Sequence, residues 1–238
     1  MKIAVIVPYY TPNKLTEELF DRCIKSVDKR FDLICVNSNL YGGGVSLARN
    51  IGLEEAFASK VDYVTFLDAD DTMTPDAWEQ INRAIEEEPG ESVIQMNHLR
   101  MKEGKTFCKF FNRRGTYYPS NLPLFWFVVW NKVIKTEFLN DIKYKVGLSR
   151  GEDELFVLDC IAKSRRIYCS ERVAAIHHFD NPESLSRIVT ASELIEEQTA
   201  LLDFLHDHEG DQELGEAVRI RQTELWNCPI YKRLFAGK

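Results

Sequence analysis

The sequence contains no Cys-x-x-Cys pair, no apolar run long enough to cross a membrane, no internal repeat and no low-complexity tract. Its six cysteines, Cys23, Cys35, Cys108, Cys160, Cys169 and Cys228, are scattered, several of them inside apolar runs such as Leu33-Ile34-Cys35-Val36. They read as reduced core residues, which excludes a disulfide frame and a zinc ribbon. The longest late apolar run, residues 122–130, is interrupted by Pro123, and the apolar start, residues 3–7, is too short for a signal segment. A cytoplasmic chain with neither a transmembrane segment nor an export signal is expected. Positive charge is also scarce: 30 Lys and Arg against 37 Asp and Glu give a net charge of −7. A surface built wholly for polyanions is therefore excluded.

What is present is an alternation of strand-like and helix-like patterns over the first ninety or so residues. Residues 3–7 read as a strand, 14–29 as a helix with Leu15, Leu19, Cys23 and Val27 on one face, and 32–36 as a second strand. A helix over 45–59, a strand over 61–67, a helix from Thr74-Pro75 to about residue 88 and a strand over 92–96 follow. The alternation predicts an α/β fold with a mainly parallel sheet flanked by helices. Residues 100–131 lose periodicity and are rich in aromatics and cations, as an insert with short strands would be. A helix over 152–163, a strand over 173–179 and a polar loop over 180–187 come next. Leucines at helical spacing, with Gly210 between two runs, predict a short helical C-terminal extension over 191–238, following a domain over 1–190.

The most informative stretch is Phe66-Leu67-Asp68-Ala69-Asp70-Asp71, which puts three carboxylates where an apolar strand ends. Acids at the carboxyl ends of strands in such sheets sit where ligands bind. Two carboxylates two residues apart can share a hard divalent cation that takes further oxygens from a diphosphate. The alternative is an acidic loop capping the next helix. Gly42-Gly43-Gly44 ahead of a helix could hold an anion, or simply connect two elements. Glu152-Asp153-Glu154 opens a helix, where acids are stabilised by the helix dipole whatever else they do.

Several segments, taken in order, resemble family 2 glycosyltransferases of the GT-A fold. These are Val5-Ile6-Val7-Pro8-Tyr9-Tyr10, Ser46-Leu47-Ala48-Arg49-Asn50-Ile51-Gly52-Leu53, the Asp-x-Asp signature at Asp68 to Asp70, Trp130-Asn131-Lys132-Val133-Ile134, Gly151-Glu152-Asp153-Glu154-Leu155-Phe156, and His177-His178-Phe179 followed by Ser184-Leu185-Ser186-Arg187. The resemblance implies a Rossmann-like nucleotide-sugar half over 1–99 and an acceptor half over 100–190. It implies transfer from a nucleoside-diphosphate sugar to a saccharide or lipid-linked saccharide, with inversion.

Asp70, Asp68 and His178 would hold Mn²⁺ or Mg²⁺, with His177 an alternative to His178 and the ribose an alternative partner for Asp68. Pro8, Tyr10, Asn37, Arg49, Asp68, Ala69 and Ser186 would line the nucleotide sugar. Trp130, Lys132 and Glu152 would lie on the acceptor side, and Asp153 would be the general base. Arg49 could equally salt-bridge Glu54 or another acid nearby, and Tyr10 could simply be a packed strand-end aromatic. One departure weakens the expectation of UDP. Asn37-Ser38-Asn39 stands where the family has paired aspartates, and an Asn amide brings no charge.

Between Arg100 and Arg114 the cations Arg100, Lys102, Lys105, Lys109, Arg113 and Arg114 face one acid, Glu103, with Phe107, Phe110, Phe111, Tyr117 and Tyr118 near them. That composition keeps a modified base in DNA open as the acceptor. A nucleotidyltransferase or an inactive sugar-nucleotide binder of similar fold is the remaining alternative.

Overall fold

The apolar run at the start of the chain forms β1 (Ile3–Tyr9), which has a parallel strand on each side and is buried on both faces. The computed structural model describes residues 1–39, 42, 44–182, 184 and 189–227, apart from the side chains of 108–110. After β1 come α1 (Lys14–Ser26), β2 (Asp32–Asn37), α2 (Gly44–Ala58), β3 (Tyr63–Phe66), β4 (Thr72–Met73) and α3 (Ala77–Glu87). The second half supplies β5 (Val93–Lys102), β6 (Lys105–Phe110), β7 (Gly115–Tyr117), β8 (Lys132–Lys135), α4 (Glu152–Ser164), β9 (Ile167–His178), α5 (Ala191–Asp207) and α6 (Gln212–Asn227). The sheet runs β2-β1-β3-β8-β5-β9-β4, with β6 added beside β5 and β7 beside β9. β2, β1 and β3 are mutually parallel, as are β5 and β9, while β8 runs against both its neighbours. This is the mainly parallel, helix-flanked sheet that the alternation predicts.

Because side chains alternate across a strand, β1 feeds two cores. Ala4 and Ile6 join an apolar cluster under α2 and α4, while Ile3, Val5 and Val7 join one under α1 and α3. α2 approaches β1 so closely at Gly52 that a Cβ there would stand 2.5 Å from Ile6 Cγ2. That contact fixes the depth at which the next residues toward the helix start, Arg49 and Asn50, enter the molecule. Leu194, Leu201 and Phe204 of α5 and Leu214, Val218 and Leu225 of α6 share one cluster with Ile6, Ile134 and Phe156. The helical pair expected as an extension therefore packs into the core that supports α4. Among the described residues no helix is long and apolar enough to cross a membrane.

The strand boundaries differ from expectation in the second half. β9 begins at Ile167, six residues earlier than the apolar pattern alone predicts, and β5 continues through polar residues to Lys102. The two pair with each other over most of that length. β4 is two residues long and pairs antiparallel to β9.

Candidate active site

The acids of the Asp-x-Asp segment leave the sheet just after the last β1–β3 contact, where the Leu67 amide donates to the Ile6 carbonyl at 3.0 Å. The Asp71 amide donates back to the Asp68 carbonyl at 2.9 Å, closing a tight turn. The turn does not cap α3, whose N-cap is Asp76, so the capping alternative for these acids falls. Asp71 is only 1% exposed and faces inward. It accepts from the His178 amide at 2.8 Å and lies 2.8 Å from His177 Nδ1. Burial pushes Asp71 up to about 7 against the pull of His177. Burial opposes the His177 imidazolium, but Asp71 prevails and holds His177 above its ordinary value.

Asp70 accepts from Asn181 Nδ2 at 2.8 Å, and its carbonyl accepts from Arg22 at 2.6 Å. Asp68 points elsewhere, toward α2. There Arg49, 3% exposed, donates from Nη2 to Asp68 Oδ1 at 3.0 Å. From Nη1 it donates to Glu152 Oε1 at 3.1 Å and to Asp153 Oδ1 at 2.5 Å. Its guanidinium also sits 5.2 Å from the centre of the Tyr144 ring. One arginine thus joins the end of β3 to the start of α4. Glu54, its other possible partner, pairs with Lys143 instead at 2.7 Å. Neighbouring Asn50 exchanges two hydrogen bonds with the Tyr144 backbone, at 2.9 and 2.8 Å. The Tyr144 ring stacks on Phe156 of α4 with centroids 4.1 Å apart.

Asp153 occupies the first turn of α4, after Gly151 in the left-handed conformation at φ 81°. Burial pushes Asp153 up to about 7; Arg49 and the Val129 amide favour its charged form, while Glu152 and Asp68 oppose it. Beside Val129, Trp130 stacks on His177 with centroids 5.3 Å apart and rings 8° from parallel. Lys132 is fully buried, donating to the Phe125 and Val128 carbonyls and to Asn131 Oδ1 at 3.2, 2.7 and 2.6 Å. Burial pushes it down to about 7. It holds the 125–131 turn from inside and presents no ammonium to an acceptor.

At the carboxyl ends of β1 and β2, Pro8 pairs in register with Val36, beyond the point where β1 needs an amide for β3. Tyr9 stacks on Phe20, whereas Tyr10 is 52% exposed and free of that core. Asn37 Oδ1 accepts from the Asn39 amide at 2.9 Å. Ala69 packs against the α1–α3 core. Ser186 lies outside the described residues, as do Gly43 and Cys228.

Comparison with solved structures identifies the fold. S. aureus TarS 1-349 in complex with UDP-GlcNAc superposes with a TM-score of 0.70 at 18% identity, covering 91% of this chain and 69% of that one. The same fragment with UDP gives a TM-score of 0.66 at 18% identity over 91% and 68% of the two chains. Against the structure of TarS itself the coverage is 91% of this chain and 41% of that one, with a TM-score of 0.66 and 18% identity. No curated protein matches the sequence. Residues 38–127 match the model of glycosyl transferase family 2. Over that segment the chain is similar to the family 2 glycosyltransferases.

The residues suited to a divalent cation are Asp70 and Asp68. Burial and then Asp68 push Asp70 up, opposed by Asn181 and His177. Carboxylate oxygens of this kind fit Mg²⁺ or Mn²⁺, which bind through one or two carboxylates together with substrate phosphates, although Asp68 Oδ1 is already held by Arg49. Among the described residues no group of three His, Cys, Asp or Glu is arranged to hold a metal alone. His178 is turned from such a role: its Nε2 lies 2.8 Å from Thr72 Oγ1 and its Nδ1 3.7 Å from Asp180. Burial, then Arg22, lowers it to about 4. Asp71 occupies only Nδ1 of His177, so His177 is the ring with a nitrogen left for the site. Asp71, Asn181 and Tyr144 carry site contacts that the sequence reading did not assign. Only Asp71 had a visible signal, as the third acid of the run.

Proposed function

We propose that this chain is a glycosyltransferase that moves a sugar from a nucleoside-diphosphate sugar, with UDP the first candidate, to a hydroxyl of a saccharide or lipid-linked saccharide, inverting the anomeric centre. The observation that carries this reading is the Arg49 bridge. It sets Asp68, at the strand end where nucleotides bind in such sheets, and Asp153, at the head of α4, on one guanidinium. A donor and an acceptor hydroxyl brought to these two acids meet within one cleft.

In that cleft Asp153 accepts the proton of the attacking hydroxyl as the acceptor oxygen bonds to the anomeric carbon. The bond from that carbon to the diphosphate oxygen breaks on the opposite face, and the nucleoside diphosphate departs with the electron pair. Asp70, with Asp68, would hold a Mn²⁺ or Mg²⁺ that neutralises charge on the leaving diphosphate. Arg49 keeps Asp153 oriented and offsets three neighbouring acids that would otherwise repel one another.

A saccharide acceptor is supported by a groove of about 620 Å³ lined by Lys102, Glu103, Lys105, Phe107 and Phe179. Phe107, 55% exposed, touches Phe179 edge-on at 5.2 Å, Phe179 meets His177 at 4.8 Å, and His177 lies on Trp130. This row of rings leads from an exposed platform to the residue beside Val129, whose amide favours ionised Asp153. The DNA alternative has less behind it, because two of the six basic residues are engaged within the protein. Arg100 lies over Phe125 and Phe179 at 4.7 and 5.4 Å, and Arg114 donates to Tyr168 at 2.7 Å.

The test is a thermal-shift panel of UDP-, GDP- and dTDP-sugars with Mn²⁺, followed by product analysis. A ligand stabilises the chain that binds it, so a UDP-sugar should raise the melting temperature and turnover should release nucleoside diphosphate. Release of pyrophosphate would identify a nucleotidyltransferase, and binding without any release an inactive sugar-nucleotide binder.

A further inference from the structure

The first turn of α4 is held between two arginines. On the cleft side Arg49 takes Glu152 and Asp153; on the far side Arg221 of α6 donates from Nε to Glu154 Oε1 at 3.0 Å. Arg221 also lies 3.8 Å from the centre of the Phe127 ring, which fixes its direction. α5 grips the segment just before the helix. Arg150 Nε donates to Glu197 Oε2 at 2.8 Å, and the Ser149 amide donates to Glu196 Oε2 at 3.1 Å. At Gly151 the two backbones nearly touch: a Cβ there would stand 3.0 Å from Glu197 Cγ and 3.7 Å from its Cα. Glu154 and Glu197 are both buried and paired with Arg221 and Arg150 respectively; burial pushes Glu154 up to about 7, opposed by Arg221 and reinforced by Glu197. Buried charges persist in a fold where they are paired in this way. Such pairing fixes geometry as well as charge, because an arginine fork accepts its partner in few orientations.

Arg150, Glu197 and Arg221 all lie outside the segment 38–127 that matches the family model. Their contacts fall on the first turn of α4, which carries Asp153, and on the residues just before it. We propose that Arg221, Glu197 and Arg150 are positioning residues through which the α5–α6 pair sets the pitch of the first turn of α4, and so the aim of Asp153 at the acceptor hydroxyl. The inference rests on Asp153 as the base of the proposed reaction. The three pair among themselves and with Glu154 rather than with Asp68 or Asp70, so their effect is expected on turnover and not on nucleotide binding.

The experiment compares full-length wild type, Arg221→Ala, Arg221→Lys, Arg150→Ala and Asp153→Asn. Donor affinity is read by calorimetry with UDP and Mn²⁺. Turnover is read as nucleoside diphosphate released from the sugar nucleotide that stabilises the wild type in the panel above. Arg221→Ala should lower kcat by about 10- to 100-fold, the cost of a small misplacement of a reacting group, with donor KM and UDP affinity within about twofold of wild type. Arg221→Lys should recover part of the loss because it restores a cation facing Glu154. Arg150→Ala, at a partly exposed side chain, should lower kcat in the same sense. Wild-type turnover in both alanine variants, or losses that follow UDP affinity, would overturn the inference while an inactive Asp153→Asn left the base assignment standing. Near wild-type turnover of Asp153→Asn would overturn the base assignment and this inference with it.

Discussion

Arg49 Nη1 meets Asp153 Oδ1 across 2.5 Å, a contact between residues 104 positions apart in the chain. Neither partner is free to move far. Gly52 seats α2 against Ile6, and Tyr144, packed on Phe156, lies beneath the guanidinium. The same guanidinium reaches Asp68 and Glu152, so a point-charge substitute cannot reproduce the arrangement.

Arg49→Met should therefore destabilise the protein as well as silence it. Breaking a fully buried ion pair costs about 3–5 kcal/mol, and since these carboxylates keep some exposure a value of about 2–3 kcal/mol is expected. Urea unfolding followed by circular dichroism measures it. Arg49→Lys should fold with a smaller penalty and still lose about 10²-fold in turnover, because an ammonium lacks the fork that orients Asp153.

The pH profile follows from the Asp153 environment. Burial raises its folded-state value to about 7, and a general base works only when ionised. kcat/KM, which reports the free enzyme, should therefore rise about tenfold per unit at low pH and level off above about pH 7. The sign for stability is the reverse. An acid raised in the folded state binds its proton more tightly there than when unfolded, so its contribution is largest at low pH and falls as pH rises from its unfolded value through about 7. A kcat/KM plateau that already begins near pH 5 would exclude a base with this environment.

Asp70→Asn should weaken Mn²⁺ binding in the presence of UDP and leave the fold intact, since the Asn181 contact can survive the change. Isothermal titration of Mn²⁺ into the UDP-loaded variant and wild type checks this. Equal affinities would remove Asp70 from the metal site.

Gly52→Ala tests the seat of α2. The added methyl would stand 2.5 Å from Ile6 Cγ2, and overpacking of this kind costs about 1–3 kcal/mol. Pairing it with Ile6→Ala should return part of the loss, a coupling that a double-mutant cycle reads directly.

Much of this architecture is written locally. β1, α2 and β3 follow from unbroken apolar runs and helical spacing, and the acids at Asp68 to Asp71 stand out because they end such a run. Contacts carried by distant partners are not written locally. Asp71 reads as one more loop acid until His177, 106 residues away, closes on it. Residues 167–172 lack a clean alternation, yet they are strand because Glu87 accepts from Tyr168, Ser170 and Arg172 at 3.2, 3.0 and 2.7 Å. Lys132 reads as an acceptor-side cation and is instead the buried clasp of the 125–131 turn, satisfied by two carbonyls and Asn131. The α5–α6 pair reads as an appendage from its leucine spacing alone, whereas its polar residues Glu197 and Arg221 engage the head of α4.

The role of Asp153 is tested most directly by Asp153→Asn, with donor affinity and turnover measured on the same preparation. The amide keeps the size of the side chain and removes its ability to take a proton. Turnover lower by about 10²- to 10⁴-fold, the usual worth of a positioned general base, with sugar-nucleotide affinity unchanged, is the expected result. Turnover near that of the wild type would reduce Asp153 to an acid that stabilises the start of α4 and would contradict the proposed mechanism.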